Sequence, residues 1–245
     1  MDKGTSLRSR LALKNPLCLS LDVAEPTRGL DLLRTVGRLS GMVKAGPVPF
    51  LSWGERLLRD AEKWGIPLFL DLKWHDIPNT VHDTIAHLPS PAIRMITIHA
   101  LGGPSMIRAA RRACEAMGAD RPALIAVTAL THLTTEELGE IGLPSRETAV
   151  RHLGSMALEA GADGLVLSPR ELPLARSLWG IEPYLVTPGI RLKDSAIAGD
   201  DQTNADTPKA ALRKGADLLV VGRPVLQAPN PGDRLDAILR EIGTP

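Results

Sequence analysis

The 245-residue sequence has few aromatic residues and no large excess of charge of either sign. It contains two phenylalanines, four tryptophans and one tyrosine, too few for the aromatic platforms on which proteins stack single-stranded nucleic acids. Lysine and arginine total 29, against 28 aspartates and glutamates. The chain therefore lacks the basic excess typical of nucleic-acid or membrane-surface binding, and we expect no nucleic-acid partner.

Cysteines and long apolar runs are also scarce. Cys18 and Cys114 are too few for a disulfide framework and form no CxxC pair. No stretch approaches the roughly 20 apolar residues of a membrane helix. The N-terminal sequence MDKGTSLRSRLALK lacks the apolar core of a signal peptide. These absences predict a soluble, cytoplasmic protein that does not bind a membrane.

Short apolar runs alternate with helix-length segments along the chain. Eight strands, each followed by a helix, in about 250 residues is the arrangement of the α/β class known as the (β/α)₈ TIM barrel. An open doubly wound sheet is the alternative, but the turn Asp22–Pro26 lacks the glycine fingerprint of a dinucleotide site. The predicted strands are Leu17–Asp22, Met42–Ala45, Pro67–Leu72, Ile93–His99, Ala123–Thr128, Gly164–Ser168, Tyr184–Thr187 and Leu218–Gly222.

No linker or shift in composition divides the chain, which predicts one domain over residues 1–245, with residues 1–15 leading into the barrel. The longest irregular stretch, Pro188–Pro208, follows the seventh strand and has the length of a binding loop or lid. The triplet Gly-Ala-Asp occurs at Gly161–Asp163 and again at Gly215–Asp217. Each copy lies between a helix and a strand, so the repeat marks a junction and not a solenoid period.

Charged residues collect where the first three predicted strands end. Asp22 ends the first strand, Lys44 lies in the second, and Asp71 and Lys73 lie at the end of the third. TIM-barrel active sites lie at the carboxyl ends of the strands, so we expect these side chains to meet at one rim. Strand periodicity puts Asp71 and Lys73 on one face. Taken alone, that pair is either part of a catalytic site or a structural ion pair at the barrel mouth.

Two turns that contain arginine follow the last two strands. Pro188–Arg191 follows the seventh strand, and Gly222-Arg223 follows the eighth. Backbone N–H groups beside glycine can approach a phosphate that a guanidinium also binds, and phosphate sites are frequent at this place in barrels. We expect a phosphorylated small molecule as the ligand; the alternative is that Arg191 and Arg223 are ordinary surface residues.

The segment DLKWHDIPNT, Asp71–Thr80, resembles the signature of the orotidine 5′-phosphate decarboxylase family. Five further segments resemble other motifs of that family in the same order, and the similarity extends from about Leu17 to Ile238. These segments are Leu21-Asp22, Val43–Gly46, Val127–Thr131, Val186–Arg191 and Gly222–Val225. The resemblance implies a TIM-barrel carboxy-lyase of pyrimidine nucleotide synthesis. Its substrate would be orotidine 5′-monophosphate, its products UMP and CO₂, and it would use no metal or organic cofactor.

The resemblance also implies a catalytic set of Lys44, Asp71, Lys73 and Asp76. Lys73 would stabilise a carbanion on the pyrimidine ring and deliver a proton to it. Asp71 would lie near the substrate carboxylate and keep Lys73 charged, and Lys44 would balance Asp71 and hold the ribose. Asp76 would complete an array of alternating charge. Without a cofactor, fixed charge is what the protein can offer to the developing carbanion.

The substrate-binding residues implied by the resemblance come from both ends of the chain. Asp22 and Thr80 would bind the ribose, and Thr131 would lie near the pyrimidine. Asp76, Ile77 and Thr80 would reach into the active site of a second subunit, which implies a homodimer. The phosphate would be held by Gln202, Gly222 and Arg223, with Arg191 nearby and the loop from Pro188 closing over it.

Two other functions remain open. A Mg²⁺-dependent sugar-phosphate decarboxylase or aldolase of the same superfamily shares the D-x-K-x-x-D pattern, but carries an acidic metal ligand where this chain has the cation Lys44. A non-catalytic barrel that binds a phosphorylated sugar is the second. The six histidines show no HxxxH or HExxH spacing, so we expect them to be ordinary surface residues or residues that support the site from behind. His99, at the end of the fourth strand, is expected to be hydrogen-bonded.

Overall fold

The protein is a closed barrel of eight parallel strands, each paired with its neighbours in the order β1 to β8 and back to β1. The computed structural model describes residues 6–192 and 206–243. The strands are β1 Leu17–Ser20, β2 Met42–Ala45, β3 Leu68–Trp74, β4 Ile93–His99, β5 Ala123–Val127, β6 Gly164–Val166, β7 Tyr184–Thr187 and β8 Leu218–Val221. This topology confirms the predicted TIM barrel and excludes the open doubly wound sheet.

One short helix precedes β1, and the other helices follow the strands and surround the barrel. They are α1 Leu7–Leu11, α2 Pro26–Leu32, α3 Pro47–Lys63, α4 Pro78–Ala86, α5 Gly103–Ala116, α6 Thr135–Glu140, α7 Arg146–Glu159, α8 Leu172–Trp179, α9 Pro208–Arg213, α10 Arg223–Leu226 and α11 Pro231–Ile242. A π-helical turn, Leu33–Gly37, continues α2, and short 3₁₀ turns span Ala100–Gly102 and Gly118–Asp120. In the described part of the chain no helix is long and apolar enough to cross a membrane.

Proline and glycine set several helix boundaries. Pro26, Pro47 and Pro78 each occupy the first helical position after a strand, where a residue without an N–H loses no helical hydrogen bond. Gly65 follows α3 with φ of 63°, a conformation that glycine adopts at little cost.

Two layers of apolar side chains form the core. Outward-facing strand residues such as Leu19, Leu70 and Leu124 pack beneath the helices. Inward-facing residues fill the lower barrel and include Phe69 and the small side chain of Cys18. Because the bottom of the barrel is packed with apolar residues, polar chemistry is confined to the opposite, carboxyl-terminal rim.

The predicted strands run slightly too far at several carboxyl ends. β1 stops at Ser20 and not at Asp22, and β6 stops at Val166 and not at Ser168. β5 and β8 each end one residue earlier than predicted. At these places the chain stops pairing with its neighbours and turns over the rim. β3 is the exception, because it continues to Trp74.

Candidate active site

A cavity of about 370 Å³ opens at the carboxyl-terminal rim of the barrel, within the size range of small-molecule sites. Strand ends and the loops that follow them supply its walls. Of the residues predicted for the site, Asp22, Lys44, Asp71, Lys73, Thr131, Arg191, Gly222 and Arg223 line it. The cavity therefore brings together residues separated by up to about two hundred positions in the sequence.

Four of these side chains form a row of alternating charge across β1, β2 and β3. Lys44 Nζ lies 3.1 Å from Asp71 Oδ2 and 3.8 Å from Asp22 Oδ1. Lys73 Nζ lies 2.9 Å from Asp71 Oδ1. Asp71 therefore has a lysine on each of its two carboxylate oxygens, and Lys44 has a carboxylate on each side.

Burial and the neighbouring charges shift the pKa values of the residues in this row in opposite directions. Burial alone would neutralise Lys44 and Asp71, since their side chains are only 13% and 11% exposed. The Asp71 and Asp22 carboxylates outweigh burial and raise the pKa of Lys44 above its ordinary value. Lys44 and Lys73 likewise outweigh burial and hold the pKa of Asp71 below its usual range. Both groups are therefore charged at neutral pH.

Lys73 occupies an irregular part of β3. Its φ of 49° is in the left-handed region, which is uncommon for residues other than glycine. The β3–β4 ladder pairs Leu70 with Ile96 and next pairs Trp74 with Ile98, so three residues of β3 face one residue of β4. We call Asp71–Lys73 the β3 bulge. Bulges redirect side chains and are frequent beside active sites.

Thr97 is the β4 residue opposite the β3 bulge, and the sequence reasoning did not single it out. Its Oγ1 donates to Asp71 Oδ1 and accepts from the Lys73 N–H, each at 2.9 Å. Sequence periodicity indicates only that Thr97 faces the barrel interior, because it lies two residues after the inward-facing Met95 and near the end of the strand.

The two arginine-containing turns follow β7 and β8, and β8 is the strand that pairs with β1. The Arg191 N–H donates to Asp206 O at 2.9 Å, and the Asp206 N–H donates to Gly189 O at 3.0 Å. These contacts fix the turn after β7, while Gly222-Arg223 leads from β8 into α10. Arg191 and Arg223 therefore line the cavity next to the Asp22 end of the lysine–aspartate row, where they fit the phosphate of a ligand that spans the cavity. Gln202 lies outside the described residues, as does most of the predicted lid Pro188–Pro208.

Asp76, Ile77 and Thr80 do not line the cavity of their own chain. All three are exposed around the start of α4. Asp76 Oδ1 accepts the Ile77 N–H at 2.6 Å, and the Ile77 side chain is 66% exposed. In a single chain the alternating row is therefore Asp22–Lys44–Asp71–Lys73, and Asp76 is not part of it.

Histidines flank the β3 bulge without forming a metal site. His99 Nδ1 accepts the Leu101 N–H at 3.3 Å, and the His99 ring stacks on His75 with centroids 5.5 Å apart. Burial, with His75 and Lys73 nearby, lowers the pKa of His99. His99 is thus hydrogen-bonded, as expected. Within residues 6–192 and 206–243, no group of three or more His, Cys, Asp or Glu side chains is arranged to hold a metal ion.

The sequence matches the family model described as orotidine 5′-phosphate decarboxylase / HUMPS over residues 15–238. An orotidine 5′-phosphate decarboxylase of Legionella pneumophila (strain Lens) is 38% identical over 230 residues, covering 92% of this chain and 98% of that protein. One from Nitrosococcus oceani is 41% identical over 230 residues, covering 94% and 98% respectively.

Solved structures share the fold. The crystal structure of an orotidine 5′-phosphate decarboxylase from Lactobacillus acidophilus superposes with a TM-score of 0.79 at 32% sequence identity, covering 93% of this chain and 99% of that chain. An uncharacterized conserved protein from Geobacillus kaustophilus superposes with a TM-score of 0.78 at 28% identity, covering 93% and 100%. Both similarities extend over nearly the whole barrel.

Proposed function

The chain belongs to the orotidine 5′-phosphate decarboxylase family and is an orotidine 5′-phosphate decarboxylase, and we propose that Lys44, Asp71 and Lys73 carry out its reaction in the rim cavity. The reaction converts orotidine 5′-monophosphate to UMP and CO₂ in pyrimidine nucleotide synthesis. The observation that carries the assignment of residues is the ion-paired Lys44–Asp71–Lys73 row, which lies in a cavity of suitable size.

The chemistry requires a strong electrostatic contribution from the protein. When the bond between C6 and the carboxylate breaks, CO₂ leaves and its electron pair stays in an sp² orbital of C6, with no adjacent carbonyl to delocalise it. A preorganised cation beside C6 stabilises that pair without reorganisation. The Lys73 ammonium then gives a proton to C6, and the neutral amine regains one from water.

Asp71 and Lys44 have separate roles in this proposal. Asp71 keeps Lys73 charged and oriented, and its negative charge lies near the substrate carboxylate, where it disfavours the ground state. Lys44 balances Asp71 and, with Asp22, binds the ribose hydroxyls. Thr131 contacts the pyrimidine from the loop after β5. Arg223, Arg191 and the Gly222 backbone bind the phosphate, whose binding energy holds the reacting ring in place.

We propose that the active form is a homodimer to which Asp76, Ile77 and Thr80 contribute across the interface. Exposed apolar side chains support this. Ile77 follows β3, Leu51 lies in the helix after β2 and is 83% exposed, and Leu101 follows β4 and is 46% exposed. Because β2, β3 and β4 are adjacent, these side chains follow three neighbouring strands at the same end of the barrel. Exposed apolar side chains that lie near one another are typical of an interface.

We also propose that residues 1–245 act as one domain. β1 pairs with β8, so the first and last strands belong to the same barrel. Leu11, in the lead-in of residues 1–15, packs into the barrel interior. The cytoplasmic location expected from the sequence stays a prediction.

The deciding experiment mixes orotidine 5′-monophosphate with chelator-treated protein and follows the loss of substrate absorbance. We expect rapid loss with wild-type protein, and turnover lowered by at least 10²- to 10⁴-fold in Lys73→Ala, because a positioned general acid contributes about that much. Lys63→Ala, an exposed lysine at the end of α3, is the matched control and should behave like wild type.

Other outcomes would favour the alternatives. Activity abolished by the chelator and restored by Mg²⁺ would indicate the metal-dependent enzyme of the same superfamily. Binding of the nucleotide without any turnover, in folded wild-type protein, would indicate a non-catalytic phosphate-sugar-binding barrel. A Lys73→Ala variant that retains UMP binding but not turnover separates the catalytic role of Lys73 from a structural one.

A further inference from the structure

The Thr97 hydroxyl contacts both the backbone of Lys73 and the carboxylate of Asp71. The Lys73 N–H donates to Thr97 Oγ1, and the Thr97 hydroxyl donates to Asp71 Oδ1. That same carboxylate oxygen lies 2.9 Å from Lys73 Nζ. A hydroxyl has one donor and two acceptor positions, so it can make both contacts at once. The three residues therefore form a closed hydrogen-bonded ring.

This hydrogen-bonded ring stabilises the β3 bulge. Three residues of β3 face one residue of β4, and Thr97 is that one residue, so its side chain takes the place of missing ladder contacts. The left-handed backbone of Lys73 is disfavoured for a side chain of this kind and persists only where surrounding contacts hold it. The hydroxyl on the Lys73 N–H is such a contact.

Thr97 is fully buried and does not line the cavity. It therefore has no contact with a ligand and acts only through Asp71 and Lys73. Its hydrogen bond is also among the interactions that keep Asp71 ionised. Asp71 Oδ1 is thereby directed at Lys73, while Asp71 Oδ2 is left for Lys44.

We propose that Thr97 is a positioning residue for the decarboxylation, because its hydroxyl fixes the Asp71 carboxylate and the Lys73 backbone in their reactive arrangement. This inference rests on the proposed function of Asp71 and Lys73. It predicts that loss of the hydroxyl slows the chemical step, while the binding of the substrate, which Thr97 does not contact, is little affected.

The central comparison is between Thr97→Val and Thr97→Ser. Valine keeps the shape but removes the hydroxyl, whereas serine keeps the hydroxyl. In Thr97→Val we expect kcat to fall by about 10- to 100-fold. KM and the UMP dissociation constant should stay within about threefold of their wild-type values, because the lost interaction acts in the transition state. Thr97→Ser should recover most of kcat. If valine disrupts folding, the Thr97→Ala and Thr97→Ser pair gives the same comparison.

A matched control is available at Thr187. It is also fully buried at a strand end, but its hydroxyl has no hydrogen-bond partner among the described residues. Thr187→Val should leave kcat and KM unchanged. The inference is overturned if Thr97→Val keeps wild-type kcat, or if Thr97→Ser is as slow as Thr97→Val. Wild-type turnover tests the proposed function separately, so failure of one can be told from failure of the other.

Discussion

Asp163 and Asp217 make equivalent contacts at the starts of β6 and β8. The Asp163 carboxylate accepts the Leu124 N–H of β5 at 2.8 Å, and the Asp217 carboxylate accepts the Leu185 N–H of β7 at 2.7 Å. Two arginines bind each carboxylate. They are Arg111 and Arg121 for Asp163, and Arg8 and Arg176 for Asp217. In both copies of the Gly-Ala-Asp triplet, the aspartate therefore anchors the start of its own strand to the preceding strand of the barrel.

Asp163→Asn should destabilise the protein by about 3 kcal/mol at pH 7, because it leaves two arginines facing a neutral amide in a largely buried site. Burial opposes ionisation of Asp163, but hydrogen bonds from Arg121 and the Leu124 N–H hold its pKa below its usual range. The unfolded pKa is about 3.9, so this stabilisation is present above that pH and is lost as pH falls through the lower folded value.

Urea unfolding of wild type and Asp163→Asn at pH 7 and near pH 3 measures this difference. The gap in the free energy of unfolding should be largest at pH 7 and narrower at the acidic pH. Asp236→Asn, at an exposed position on α11, is the control and should cost little at either pH. A gap that widens on acidification would contradict the assigned ion pairs.

Asp71→Asn should lower kcat by about 10²- to 10³-fold, the usual cost of removing one preorganised electrostatic group. It should also move any alkaline limb of the pH profile that Lys44 controls. Burial lowers the pKa of Lys44, and Asp71 is the main charge that raises it. Removing that charge leaves burial less opposed, so Lys44 loses its proton at lower pH. Rate profiles from pH 6 to pH 10.5 check both effects; the coupling is refuted if Asp71→Asn loses activity at no lower pH than wild type.

Sequence periodicity predicted the barrel and the residues that meet at its rim, because both follow from strand order. Asp71 and Lys73 do face the same cavity, as predicted. They do so because of a bulge in β3 and the left-handed backbone of Lys73, neither of which follows from the alternation of side chains along a strand. The role of Thr97 depends on register across two strands separated by a helix. Such register is set by packing, so it could not be predicted locally.

Other parts of the predicted site belong to the proposed dimer or lie outside the described residues. Asp76 was expected in the charged row, but within one chain Asp22 occupies the end next to Lys44. In the proposed homodimer the residue beside Lys73 would come from the partner chain, and strand periodicity within one chain does not specify how two chains pair. The role of Gln202 stays a prediction.

Glu171→Gln should raise KM for orotidine 5′-monophosphate by about 3- to 10-fold with little change in kcat. Arg146 donates to Glu171 Oε1 at 3.3 Å and also binds the carbonyl oxygens of Leu130 and Leu133, which flank Thr131. Losing the charge on Glu171 frees Arg146 and loosens the loop that we propose contacts the pyrimidine. Such a loop binds the substrate in the ground state and the transition state alike, so KM rises while kcat changes little. Steady-state kinetics and UMP titration measure it.

The control for this prediction is Glu147→Gln, an exposed glutamate of α7 paired with Arg151. It should leave KM at the wild-type value. Unchanged KM in both Glu171→Gln and Arg146→Gln would show that the loop does not depend on this pair.

Ile77→Glu should shift the protein from dimer to monomer and reduce turnover per chain, because a carboxylate would replace an apolar side chain at the proposed interface. Sedimentation velocity over a range of concentrations measures the change. Ile181→Glu is the matched control, since Ile181 is 75% exposed but precedes β7 at the opposite end of the barrel. Equal sedimentation of Ile77→Glu and wild type would remove Ile77 from the interface.

Two tagged heterodimers can show whether Asp76 acts in the partner's active site. The first pairs a Lys73→Ala chain with an Asp76→Ala chain; if Asp76 acts across the interface, one of its two sites has both groups intact. A two-fold symmetric dimer then gives about half of the wild-type turnover per dimer, although either variant alone is inactive. The second pairs wild type with the Lys73→Ala/Asp76→Ala double variant and should be inactive, because each site lacks one group. If Asp76 acts within its own chain, the two results are exchanged, with the first heterodimer inactive and the second half active.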